Sequence, residues 1–172
     1  MSGKIGRRQL VGGLAFGGGL LASRAAMAEP QRLDVASIKK ETEVACVYHC
    51  DFDELARVRA MIRNISNHLS VYDNDPFKVK IVVVAHSVGI KMFLKDLDGT
   101  PWSKDPFPSE IFERFAGVAK LGVDAYLCQI TFKGNNIDLE KARTDAFIKL
   151  VPSGVATVAA LQGKGYSYLK VG

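Results

Sequence analysis

The segment VKIVVVAHS, Val79 to Ser87, decides how the chain is read. Its first seven residues are apolar apart from Lys80 and lack polar alternation, which describes a strand covered on both faces, as in the parallel sheets of α/β proteins. It ends on an imidazole and a hydroxyl. Upstream, VACVYH (Val44–His49) is a second run of the same kind and ends at Cys50. Asp51 with Glu54 three residues on has the spacing of a capping box, with Asp in place of Ser or Thr. A helix to about Ser70 follows, with Leu55, Val58, Ile62, Ile65 and Leu69 on one stripe. Asp73-Asn74-Asp75-Pro76 reads as a turn.

Downstream, Gly89–Leu94 begins a short helix. Lys95–Glu110, with Gly99, Pro101, Trp102, Pro106 and Pro108, is the longest irregular stretch, and loops of that length are commonly functional or disordered. A helix opens at Pro108-Ser109-Glu110 and carries Ile111, Phe115, Val118 and Ala119. Within LGVDAYLCQITFKG (Leu121–Gly134) a strand over Val123–Leu127 stops at Cys128. Asn135-Asn136 turns the chain, Asp138–Ala146 reads as helical, and Ile148–Val151 is a fourth strand broken by Pro152-Ser153-Gly154. Ser153 then caps a helix to about Leu161, and Tyr166–Val171 is a fifth strand. Strand and helix alternating in this way predict one α/β domain with a mostly parallel five-stranded sheet.

The formal net charge of +5 is misleading, because Lys4, Arg7, Arg8 and Arg24 in residues 1–28 carry +4 with no acid, leaving +1 for the remainder. A domain so close to neutral gives no electrostatic reason to expect nucleic acid as a partner. Residues 1–28 read as an export signal of the twin-arginine type: Arg7-Arg8, a glycine-diluted apolar run over Leu10–Ala22, and the small-x-small site Ala26-Met27-Ala28. The apolar run is about 13 residues, short of the ~20 that span a bilayer. The expected product is periplasmic and free of the membrane after cleavage, with residues 29–43 as a polar tether and 44–172 as the domain.

Export takes Cys46, Cys50 and Cys128 to a compartment where disulfides persist, and an odd count leaves at least one thiol outside an intramolecular pair. Cys46 and Cys50 share one strand, so their Cα atoms would lie about 13 Å apart, beyond the ~7 Å that a disulfide spans. In a parallel sheet the loops after the strands share one edge, where such proteins place their ligands. His49-Cys50, His86-Ser87, Cys128-Gln129 and Pro152-Ser153-Gly154 therefore gather there, and the Trp102 loop leaves the same edge as a candidate lid. A strand cysteine is more often a small buried hydrophobe than a catalyst, and strand-end histidines are more often hydrogen-bonded than ligating. His49, Cys50, His86 and Cys128 are nevertheless ligand types that suit zinc or copper. No short C-x-x-C or H-x-x-x-H spacing exists, so no metal set is assigned. A Cys50–Cys128 disulfide is a further possibility, as is a binding or assembly module in which the thiols are incidental. No nucleotide-binding glycine pattern or nucleophile elbow is present, so no cofactor is called for.

GVDAYLCQITFKGNNI (Gly122–Ile137) resembles the cysteine motif of the DsrE/DsrF-like family. VVVAHSVGIKMFL (Val82–Leu94) is similar to its central strand and following loop, and VPSGVATVAALQGKGYSYLKVG (Val151–Gly172) looks like the ending of its small exported members. The resemblance spans roughly Val44–Gly172. Ser87-Val88 stands where the family usually has Gly-Pro or a similar small pair. It implies a flavodoxin-like three-layer fold, assembly into homotrimers or hexamers, and sulfur carriage as a persulfide on Cys128, exchanged with a donor or acceptor protein. His86 and Ser87 would shape the pocket, with His49, Cys50, Ser153 and Gly154 around it. On residue grounds Cys128 is favoured over Cys50, because Asp51, Asp53 and Glu54 oppose a thiolate at Cys50. Lys133 and the helix start at Ser153–Gly154 would favour one at Cys128.

Overall fold

The computed structural model describes residues 29–172; the export signal read from residues 1–28 lies outside them. Five strands, β1 (Val44–Cys50), β2 (Val79–Ala85), β3 (Asp124–Cys128), β4 (Ile148–Val151) and β5 (Ser167–Leu169), form one sheet in the order β4-β3-β2-β1-β5. Every pairing is parallel. The fold is the α/β, flavodoxin-like arrangement expected from the chain.

Side chains alternate between the two sheet faces, and the burial pattern follows that alternation. Cys46, Tyr48, Cys50, Ile81, Val83, Ala85, Ala125, Leu127, Ile148 and Leu150 enter the larger core beneath α1 (Leu55–Val71) and α2 (Ser109–Ala119). Ala45, Val47, Val82, Val84, Tyr126 and Val151 enter a smaller core with Val158 and Leu161 of α4 (Gly154–Gly163). Steps from β1 to β4 all move in one direction across the sheet. The return from β4 to β5 reverses it, and right-handed crossovers then put α4 on the opposite face. The reversal makes β3 and β4 the topological switch point, where sheets of this class open a crevice outside the strand ends.

Several local expectations change. Asp51 does not cap α1, which starts after Glu54 with no side-chain cap bond. The capping-box spacing is present, but Asp51 continues the line of β1 and leaves the helix start. Gln129–Gly134, given no element from the sequence, is a short helix, α3. The helix expected over 138–146 is limited to a 3-10 turn at Leu139–Lys141, with the Asp138 carboxylate accepting from the Glu140 amide. That local side-chain bond competes with helix propagation. The tether read from residues 29–43 is partly built into the fold. The Leu33 amide donates to the Leu150 carbonyl at 2.9 Å, the Leu150 amide donates to the Gln31 carbonyl at 2.7 Å, and Ile38 is buried in the smaller core.

Candidate functional site

Cys128 ends β3 at the switch point, and alternation turns it to the α4 face. Ser153 caps α4 by accepting from the Ala156 amide at 3.3 Å. The first residue of the helix, Gly154, is pressed between two site residues. A methyl added there would sit 3.0 Å from His86 Cβ and 3.1 Å from Cys128 Cβ. Glycine lets the α4 N-terminus approach the thiol and the imidazole together, and that end of the helix favours negative charge placed beside it. Cys128 is 5% exposed, a thiol buried at its strand end. Lys133 is exposed on α3.

His49 and His86 lie on the same face, on neighbouring strand ends. Their Nε2 atoms are 2.5 Å apart, and their rings are tilted by 37° with centroids 4.7 Å apart. The His86 amide donates to the Cys50 carbonyl at 3.1 Å, extending the β1–β2 ladder by one bond and fixing the backbone of His86. Burial, and then the neighbouring imidazole of His49, lowers the pKa of His86 below its ordinary value, with Asp51 opposing. The neutral imidazole is therefore the favoured form. Tyr168 of β5 brings its hydroxyl to 3.5 Å from His49 Nδ1. Ser87 takes the left-handed region at φ 52°, a conformation that costs a non-glycine residue energy. The Ser87 amide donates to the Thr131 hydroxyl of α3 at 2.9 Å, holding the turn.

Cys50, grouped with these residues from the sequence, faces the other way. It is fully buried in the larger core, and its thiol points at the carbonyls of Phe52, at 3.7 Å, and Gly89, at 4.0 Å. Burial pushes it up to about 12, and the Asp51 and Asp53 carboxylates reinforce the rise against the Phe52 contact and Arg57. With β2 between their strands, Cys50 and Cys128 are separated by about 10 Å across the sheet and lie on opposite faces, so the disulfide considered from the sequence does not form. All three cysteines are free. Opposite faces also remove Cys50 from the metal-ligand set of His49, His86 and Cys128. The Trp102 loop packs Trp102 and Phe107 on the larger core. Lys91 ties it down by pairing with Asp105 of the loop and with Asp53 at 2.7 Å. As a lid it would have to leave these contacts.

Two members of the site went unread in the sequence. Asp51, considered from the sequence as a helix cap and as a charge opposing a Cys50 thiolate, lies with its carboxylate within 4.8 Å of a ring nitrogen of both His49 and His86. Tyr168 reaches His49 from the neighbouring strand. The first carried a signal, the His49-x-Asp51 spacing, which returns to the same face when the extended backbone continues past the strand end. The second depended on β5 pairing with β1, which no local pattern encodes.

No helix among the described residues is long and apolar enough to cross a membrane. No curated protein matches the chain. A solved structure of a protein of unknown function from Methanobacterium thermoautotrophicum is similar in fold, with a TM-score of 0.60 and 24% identity. It covers 74% of this chain and 99% of its own. The model of the DsrE/DsrF-like family matches residues 47–171, a span that holds all five strand ends except the first three residues of β1, together with Cys128, both histidines and the cap of α4. The chain therefore belongs to the DsrE/DsrF-like family.

Proposed function

We propose that the protein is an exported sulfur carrier that holds sulfane sulfur on Cys128. The observation that carries this reading is the position of that thiol: a strand-end cysteine at the switch point of a DsrE/DsrF-like sheet, against the N-terminus of α4. In the reaction, the Cys128 thiolate attacks the terminal sulfur of a donor persulfide. A new S–S bond forms on Cys128, the donor S–S bond breaks, and the donor leaves as a thiolate. An acceptor thiolate reverses these roles and takes the terminal sulfur away. No net oxidant is needed. The helix N-terminus favours the anionic sulfur before and after transfer, and the neutral His86 imidazole beside Gly154 can take or return the thiol proton. His49, Ser87, Ser153 and Gly154 shape the crevice.

Export through the twin-arginine route to the periplasm is part of the proposal, supported by Arg7-Arg8, the short glycine-rich apolar run and Ala26-Met27-Ala28. So is assembly into a homotrimer or homohexamer, as the family resemblance implies, and exchange with a donor or acceptor protein. The test is intact mass spectrometry after incubation with a low-molecular-weight persulfide, followed by alkylation. One added sulfur atom on the Cys128 peptide, removed by reductant and absent from Cys128→Ser, is expected. Loading that persists in Cys128→Ser would sink the reading.

A further inference from the structure

A second chemistry lies beside the thiol. His49 Nε2 and His86 Nε2 are 2.5 Å apart, so their lone pairs address one point, and Asp51 supplies a carboxylate oxygen within 4.8 Å of a nitrogen on each ring. We propose that His49, His86 and Asp51 form a binding site for a divalent d-block cation of the zinc or copper class. Two imidazoles and one carboxylate are the donor set of such ions. Magnesium and calcium take oxygen ligands and are disfavoured here.

The backbone accounts for the convergence. The parallel register pairs His49 with Val84 and Cys50 with Ala85. The amide bond from His86 to the Cys50 carbonyl carries that register one residue further, leaving Asp51 level with His86. Alternation turns His49 and His86 to the same face as α4. Both rings are half-buried and Asp51 is exposed, so a cation can enter from solvent and keep one position open to water or another ligand.

The surroundings of His49 support the same assignment. The hydroxyl of Tyr168 lies beside His49 Nδ1. A proton on Nδ1 directed there leaves Nε2 bare, the outer-shell arrangement by which metal-binding histidines are oriented. At Zn–N distances near 2.0–2.1 Å in tetrahedral geometry, the two nitrogens would stand about 3.3 Å apart. A rotation of each ring by a few tenths of an ångström reaches that spacing.

The experiment is isothermal titration of the chelator-treated full chain with Zn²⁺ alone, with circular dichroism of each variant as a control for folding. Uptake of one Zn²⁺ per chain is expected. His49→Gln and His86→Gln should each weaken it by about tenfold or more, and Asp51→Asn by about threefold. Asp51 is exposed, so Asp51→Asn and His49→Gln keep the test decisive should His86→Gln fail to fold. Cys128→Ser should bind Zn²⁺ within about twofold of the wild type, which separates this site from the sulfur-carrying reading. The absence of stoichiometric uptake by the wild type would overturn the proposal. Uptake unchanged in both His49→Gln and Asp51→Asn, or abolished by Cys128→Ser alone, would do the same.

Discussion

Cys50 and Cys128 are the same residue type at the same kind of place, the last position of a parallel strand, yet the sheet treats them as opposites. Cys50 turns toward α1, meets two backbone carbonyls and sits among carboxylates. Burial and the Asp51 and Asp53 carboxylates keep the proton on sulfur, against the Phe52 contact and Arg57. Cys128 turns toward α4, whose first residue, Gly154, lies against both its Cβ and that of His86. One strand-end thiol is packing material in the larger core, and the other, itself 5% exposed, lies against the start of α4. What separates them is the parity of the strand position relative to the helix that crosses the sheet. In a doubly wound sheet, therefore, the helix that a strand-end residue faces is set by which face receives the reversed crossover, and the edge alone does not suffice.

Alkylation gives the largest contrast. Under native conditions iodoacetamide should label Cys128 first, with Cys50 and Cys46 reacting at least about 100-fold more slowly, since their modification requires opening of the core. Burial also pushes Cys46 up to about 12. Peptide mapping over a time course reads the order, and equal rates for Cys50 and Cys128 would erase the distinction.

The glycines that press against the two cysteines give the next contrast. A methyl at Gly89 would lie 2.1 Å from the Cys50 carbonyl oxygen and 2.7 Å from its carbon, so backbone must move. Gly89→Ala is expected to cost about 3 kcal/mol, the upper part of the overpacking range. The Gly154→Ala methyl meets side-chain carbons at 3.0 and 3.1 Å, and its cost should be about 1 kcal/mol. Urea denaturation measures both, and the ranking fails if Gly154→Ala is the more destabilised.

The smallest effect concerns His68, whose ring nitrogen faces the Tyr48 hydroxyl at 3.3 Å and the Cys46 thiol at 3.7 Å, with Tyr72 against the ring. Burial lowers its pKa from 6.5. The folded protein thus binds this proton more weakly than the unfolded chain. The contribution to stability is complete above about pH 6.5 and declines as pH falls through the folded value. Between pH 7 and 5 the urea midpoint of the wild type should fall slightly more than that of His68→Gln. Parallel pH profiles would show that the half-buried ring is not coupled to folding.

Much of the architecture was legible because parallel strands buried on both faces leave uninterrupted apolar runs, as at Val79–Ala85. The stripe on α1 was equally plain. Cys128 and the α4 start could be placed on a common edge from element order. The misread parts are those where local pattern is thin: α3 has six residues, too few to show a helical period, and the 138–146 segment is held by a turn at Asp138. The grouping of Cys50 with His49 is a different error. Adjacent strand residues must face opposite ways, so the separation was available from the sequence once parity was applied. Asp51 and Tyr168 needed the strand register, which is a tertiary fact.

The pairing of Gln31 and Leu33 with Leu150 has a consequence for how copies of this protein can meet. An open sheet has two borders with unsatisfied amides and carbonyls, each a template on which a foreign strand can grow. Along β4 the leading segment of the same chain occupies those groups. At the other border β5 offers only three residues. Both margins of the sheet are blunted, one by occupation and one by brevity. Copies that assemble must therefore join through side-chain surfaces, where residue identity sets the fit, and continuous sheet extension between molecules has little border on which to start.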